Sequence, residues 1–305
     1  MSITLIPFED GQTNLDWRAL CDAFSAGHAM PRAEIGDTFL YRDPDTLLSR
    51  AAWIDGMGLA VKSATIFPGN PDNGNPMING AVCVFGDADG QLEAVIDFHL
   101  VTKWKTAGDS LFAATRLARP DSENILIVGA GTVGRSLFEA YSAVFPGARF
   151  RVWNRTRANA EAMAEDCPGL RVTDDLERAV KHADIVTSAT MSTEPILKGE
   201  WFQPGQHIDL IGAFRPDMRE VDDVALKRAR IFVDSYDTTL DHIGELKIPL
   251  EKGTITREEI VADYYEPDAF RRESDDEITL FKNGGGAHLD LMTSRYILDA
   301  WQAAR

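Results

Sequence analysis

The segment Gly129-Ala130-Gly131-Thr132-Val133-Gly134 has the GxGxxG spacing of a diphosphate-binding turn. Each glycine has a physical task there. Gly129 turns the chain tightly, Gly131 lets a pyrophosphate reach the backbone, and Gly134 lets the following helix pack on the strand. The phosphate then rests on free helix N–H groups at the positive end of the dipole, which makes Ala130, Thr132 and Val133 binding positions through their backbone. Twenty positions past Gly134, where a ribose-binding acid is expected, the chain reads Asn154-Arg155-Thr156-Arg157. Nothing there repels a 2′-phosphate, and the two arginines can pair with one, which favours NADP. Asn154 can still bond the ribose hydroxyls of NAD. The expected cofactor is NAD or NADP, the form left open. Arg50 is the second oddity, a guanidinium inside an apolar segment, where it needs an anionic partner. That partner is either a substrate anion or, as an ion pair, Asp43 or Asp45. The six histidines show no metal-ligand spacing, and no G-x-S-x-G elbow occurs, so neither a metal nor a serine nucleophile is expected.

These groups need a scaffold, and the sequence pattern changes near residue 120. Before it, short apolar runs at 47–54, 58–67, 81–85 and 91–98 alternate with turn clusters such as Pro68-Gly69-Asn70-Pro71, which predicts a strand-rich sheet. Ala and Leu at helical spacing predict a helix over 102–117, ended by Pro120. From Asn124 onward the order becomes strand, glycine turn, helix, strand, the signature of a parallel sheet with crossover helices. Strands are expected at 125–128, 149–153, 184–187, 207–212 and 230–234, with a helix over 135–145. After Gly284-Gly285-Gly286 a last helix over 287–304 is placed to close back on the first domain. The fold class is thus α/β: a Rossmann-type doubly wound domain over 121–284, with a discontinuous α+β domain formed by 1–120 plus 285–305.

The 305 residues suffice for two domains, and 44% apolar with 26% charged content is ordinary for a globular chain. A formal charge of −17 argues against nucleic acid or an anionic membrane as partner. No run approaches the ~18 apolar residues of a membrane span, and the first residues lack a signal-peptide pattern. Three widely spaced cysteines fit reduced thiols, so a cytoplasmic location is expected.

In their order, the stretches GLAVKSATIFPGN (58–70), VTKWKTA (101–107), the glycine loop, TSATMSTEP (187–195), IGAFRPDMREVD (211–222) and FKNGGGAHLD (281–290) resemble the ornithine cyclodeaminase and mu-crystallin family. The resemblance implies a homodimer in which the discontinuous domain binds substrate and mediates dimerisation. It implies that Lys62 and, in place of the family's arginine, Lys105 hold a substrate carboxylate beside the nicotinamide; and because a lysine beside other cations can have its pKa lowered toward neutrality, Lys62 is also the expected catalytic proton donor. Thr190 and Met191 are expected at the cofactor with Asn154, Arg155 and Thr156. A further family arginine, ahead of the strand that leads toward the lysine, has no counterpart near Gly36-Asp37-Thr38, and Arg50 is taken in its stead. Phe214 stands where cyclodeaminases carry an amine-binding aspartate, which turns the expectation toward the mu-crystallin branch.

The expected activity is therefore NAD(P)H-dependent reduction of a small imino acid. Three cations, Arg50, Lys62 and Lys105, exceed the need of one carboxylate and suggest a dicarboxylic imine such as iminosuccinate, giving aspartate. The alternatives are a cyclodeaminase-type lyase using catalytic NAD and a non-catalytic NADP-dependent binding protein.

Overall fold

The computed structural model describes residues 3–305, which divide into two units. One is the chain up to Lys105 together with Gly286–Arg305, and the other is Thr106–Gly285. The first unit holds strands β1 (Thr4–Ile6), β2 (Glu34–Arg42), β3 (Asp45–Ile54), β4 (Gly58–Ile66), β5 (Ile78–Phe85) and β6 (Leu92–Asp97). They form one sheet in the order β1-β6-β5-β4-β3-β2, antiparallel except for the β1–β6 pair. Helices α1 (Phe8–Gly11), α2 (Trp17–His28), the start of α3 (Phe98–Leu117) and the carboxy-terminal helix Ala287–Ala303 complete it.

Helix α2 is not foreseen by the sequence reading, yet its local signals agree. Asp16 caps it by accepting the Ala19 N–H at 2.9 Å, and Trp17, Leu20, Cys21 and Phe24 bury one face at helical spacing. In β4 the period of two puts Ala60, Lys62 and Ala64 on the buried side. Strand β2 is also unforeseen. It is exposed along its whole length, so no buried alternation marks it in the sequence.

The second unit is an eight-stranded, all-parallel sheet. Its strands are β7 (Asn124–Val128), β8 (Arg149–Trp153), β9 (Arg171–Val172), β10 (Ile185–Ser188), β11 (His207–Leu210), β12 (Arg230–Val233), β13 (Ile260–Ala262) and β14 (Thr279–Lys282). The order is β13-β12-β14-β11-β10-β7-β8-β9. Helices α4 (Thr132–Val144), α5 (Arg157–Asp166), α6 (Leu176–His182), α7 (Asp223–Arg228), α8 (Tyr236–Thr239) and α9 (Gly244–Glu251) lie between them in sequence. This is the doubly wound α/β architecture, with strand order reversing between β7 and β10, where such sheets open a crevice beyond their carboxyl ends. Strand β14, last in sequence, inserts between β11 and β12 and was not expected.

The amino-terminal boundary differs from the sequence expectation of 120: it falls between Lys105 and Thr106, inside α3. The cause is visible in the hydrogen bonds of the later helical turns. Tyr264 donates to Asp109 Oδ1 at 2.7 Å, Tyr141 to Ser110 O at 3.2 Å, and Thr279 to Leu117 O at 3.0 Å. Pro120 marks where the helix ends, and a helix can end well past the point where its packing changes partner. The carboxy-terminal boundary lies between Gly285 and Gly286, against the expected 285.

Candidate active site

The glycine turn is built as the sequence demands. Gly129 follows β7 with φ +111°, in the left-handed region that favours glycine, and a Cβ there would sit 2.7 Å from Ala189 O. Gly134 packs so closely that a Cβ would come within 2.2 Å of Gly129 O. Gly131 is different: a Cβ there would meet no protein atom within 4 Å. Its missing side chain serves something other than the protein's own packing. Helix α4 starts at this point without a side-chain cap, and its first intrahelical bond runs from Arg135 N–H to Gly131 O at 3.1 Å. The N–H groups of Thr132, Val133 and Gly134 precede that bond, so the helix end is ready for an anion. An open glycine beside an uncapped helix start fits a diphosphate.

In front of this turn lies a cavity of about 430 Å³. Gly129, Ala130 and Gly131 form one wall; Asn154, Arg155 and Thr156 form a second; Thr190 and Met191 form a third. Eight of the expected cofactor residues thus line one cavity, while Thr132, Val133 and Gly134 form the first turn of α4 behind the loop. Asn154 is partly engaged with the loop itself: its Oδ1 accepts the Ala130 N–H at 3.1 Å and its Nδ2 donates to Thr156 O at 2.9 Å. The paired arginines divide. Arg155 borders the cavity, whereas Arg157 is bound to Glu161 at 2.7 Å and to Asp174.

The cations of the first unit are assembled by strand register. Directly opposed residues Asp37, Arg50, Lys62, Val82 and Ile96 form one row across β2, β3, β4, β5 and β6, on a single face of the sheet. Lys62, 6% exposed, donates to Asp290 Oδ1 at 2.9 Å and stands 4.7 Å from the centre of the Phe98 ring. Burial pulls its ammonium down to about 8, Asp290 opposes this, and the nearby charges of Lys105 and Arg50 reinforce it. Lys105 is itself buried and acts on Lys62, Asp290 and His288. Lys62 thus bonds one carboxylate, Asp290, and the charges of Lys105 and Arg50 act on the same group. Burial works against that carboxylate's charge, yet Lys62, Lys105 and Arg50 hold Asp290 below its ordinary value.

Arg50 is half-buried and binds Asp37 through Nε at 3.2 Å and Nη2 at 2.9 Å. The expected ion-pair partners, Asp43 and Asp45, are not the ones used. The reason is register: Asp37 faces Arg50 directly, while Asp45 opposes Arg42 and binds it.

Sequence reasoning missed three groups. Asp290, within FKNGGGAHLD, lies 228 residues from Lys62, and no local pattern joins the two. Arg32 lies two residues ahead of β2, and its charge helps to hold the buried His288 neutral, at about 3, where burial and then Lys105 act most strongly. The Pro31-Arg32 step ahead of the strand was the available signal. Glu220, fully buried, knits the ends of β10 and β11 through hydrogen bonds from Ser188, Thr190, Gly212 and Ala213.

Comparison with known proteins gives consistent matches. A family model described as the ornithine cyclodeaminase/mu-crystallin family matches residues 52–305. A Delta(1)-pyrroline-2-carboxylate reductase of Paracoccus denitrificans is 50% identical over 300 residues, covering 96% of this chain and 95% of the relative. The ketimine reductase mu-crystallin of Rattus norvegicus is 35% identical over 249 residues, 81% of this chain and 77% of its own. Among solved structures, an archaeal alanine dehydrogenase dimer with bound NAD superposes with a TM-score of 0.90 at 26% identity, covering 100% of this chain and 97% of that one.

Proposed function

We propose a substrate class from one premise: this chain belongs to the ornithine cyclodeaminase/mu-crystallin family. It is an NAD(P)-dependent oxidoreductase acting on imino acids. The substrate we assign is a cyclic ketimine monocarboxylate of the Δ1-pyrroline-2-carboxylate type, reduced to the secondary amino acid. The observation that carries this reading is the commitment of the cations: Arg50 is held by Asp37 and Lys62 by Asp290. A dicarboxylate would need these cations free of counterions, and Arg50 and Lys62 each have one. The 50% identity to a Δ1-pyrroline-2-carboxylate reductase over nearly the whole chain supports the same class. Arg32, a further positive charge near His288, favours iminosuccinate as the second reading.

The cofactor is NAD or NADP, cradled by the Gly129–Gly134 turn, and when bound in reduced form it supplies the hydride. The chain's own groups do the rest. Lys105 is the cation assigned to the substrate carboxylate, and Lys62, still mostly protonated at neutral pH beside Asp290, holds at Nζ a proton that can pass to the imine nitrogen. Asp290 keeps that ammonium in place. The exposed Phe214 follows β11 and offers no acceptor for a substrate amine, which disfavours cyclodeamination.

A panel with NADH and NADPH tests this by absorbance of the reduced nicotinamide. Δ1-pyrroline-2-carboxylate should be reduced with kcat/KM at least about tenfold above that for oxaloacetate plus ammonia, about 1.4 kcal/mol of discrimination. The reverse order overturns the monocarboxylate assignment. Ammonia release from ornithine identifies the lyase, and cofactor binding with no turnover identifies the binding protein.

Arg155 carries the coenzyme preference in this reading, because Arg157 is occupied. Arg155→Ala should weaken NADPH binding by about tenfold and leave NADH binding nearly unchanged, measured by fluorescence titration. Equal losses for both would remove Arg155 from that role.

Homodimerisation is proposed through the β2 edge, where Ile35, Phe39, Leu40 and Tyr41 are exposed on a nine-residue strand. Light scattering should return twice 33.7 kDa, and Leu40→Asp with Tyr41→Asp should return the monomer. A dimer that survives this double substitution places the interface elsewhere.

A further inference from the structure

We infer that Glu220 is a positioning residue for the dinucleotide cavity, an inference that rests on the cofactor reading above. Its side chain is fully buried and comes from the loop between β11 and α7. Five donors converge on it. Oε1 accepts Ser188 Oγ at 2.6 Å, Thr190 N–H at 2.8 Å and Thr190 Oγ1 at 2.8 Å; Oε2 accepts Gly212 N–H at 2.7 Å and Ala213 N–H at 3.1 Å. An acceptor-only carboxylate suits five donors and no other side chain of this length does. Two of the five come from Thr190, which lines the cavity in front of the glycine turn.

The loop carrying Glu220 is fixed in turn. Glu245 Oε2 accepts the Glu220 N–H at 2.7 Å and Glu245 Oε1 accepts the Val221 N–H at 3.2 Å. The two strand ends that Glu220 joins are also pressed together, since a Cβ on Gly212 would come within 2.0 Å of Thr190 O. Thr190 therefore has its backbone and its hydroxyl both dictated by one buried anion, which sets the wall against which the cofactor lies.

Glu220→Gln separates this role from bulk stability because the defect is local. The amide oxygen can serve Gly212 and Ala213, whose N–H groups only donate. Its NH₂ can serve the hydroxyls of Ser188 and Thr190, which can rotate to accept. The Thr190 N–H is left facing a donor. The expected result is a folded protein whose Kd for NADH, by fluorescence titration, rises about tenfold. Ser188→Ala, a residue outside the cavity lining, should raise the same Kd a few-fold, because it acts through Glu220. Thermal melts report the folded fraction, so Kd is read on folded protein.

If Glu220→Gln or, where that variant does not fold, Ser188→Ala binds NADH as tightly as the wild type, Glu220 is structural only and the inference fails. If the wild type itself binds no NADH or NADPH, the cofactor reading fails first, and the two outcomes are told apart by the unmutated protein.

Discussion

Replacing Lys62 with Met should lower kcat/KM for imine reduction by about 10²–10⁴-fold, the span expected for a lost acid–base group, while Kd for NADH stays near the wild-type value. The split follows from where each group sits in the chain. Lys62 lies on β4 of the first unit, and the diphosphate turn lies between β7 and α4 of the second. A matching loss of NADH affinity would mean that Lys62 serves the fold and not the substrate. The same ammonium sets the pH dependence. Burial brings Lys62 to about 8, so activity that needs its proton should fall as pH rises through about 8, well below an ordinary lysine.

Asp290→Asn gives that limb a direction. Asp290 holds the proton on Lys62 by charge and by hydrogen bond; without it, burial and the charges of Lys105 and Arg50 act unopposed. The alkaline limb should move to lower pH. A limb that stays at the wild-type position would show that Lys62 is not the group being titrated. Asparagine is the variant of choice because it keeps the shape of the aspartate. A truncated side chain would also strand a buried lysine in a cavity, at a cost of about 3–5 kcal/mol.

Gly131→Ala should weaken NADH binding by on the order of 10- to 100-fold with no change in melting temperature, whereas Gly134→Ala should lower the melting temperature as well. At Gly131 the φ of −85° suits alanine, and the added methyl meets no protein atom within 4 Å, so the fold has no reason to respond. Only an incoming diphosphate meets it, at the ~1–3 kcal/mol typical of overpacking. At Gly134 the methyl would come within 2.2 Å of Gly129 O, a backbone atom that cannot swing aside. Fluorescence titration and thermal melts on the two variants check this. Equal NADH affinity in Gly131→Ala and the wild type would remove the pyrophosphate from this turn.

Legibility in the sequence followed the range of the interactions. The β7–turn–α4 segment was readable because a buried run, a glycine with positive φ and an uncapped helix start are fixed by neighbours in the chain. The same holds for the Thr190 segment as a strand end. Strand β2 was not readable: its apolar side chains stay exposed within this chain, so the alternation that marks a half-buried strand is absent. Strand β14 was missed because four residues between irregular segments carry no periodicity, and its place between β11 and β12 is set by pairing over long separations.

The sequence by itself determined the dinucleotide turn and the parallel class of the later sheet, since these depend on residue type and on neighbours a few positions away, while Lys62 and Lys105 were singled out through the family resemblance. Only the tertiary structure decided what the cations face. Arg50 meets Asp37 because of hairpin register, and Lys62 meets Asp290 because the carboxy-terminal helix returns to the first unit across 228 residues. A charge's chemistry depends on its counterion and its burial, and both are properties of packing that no local spacing encodes.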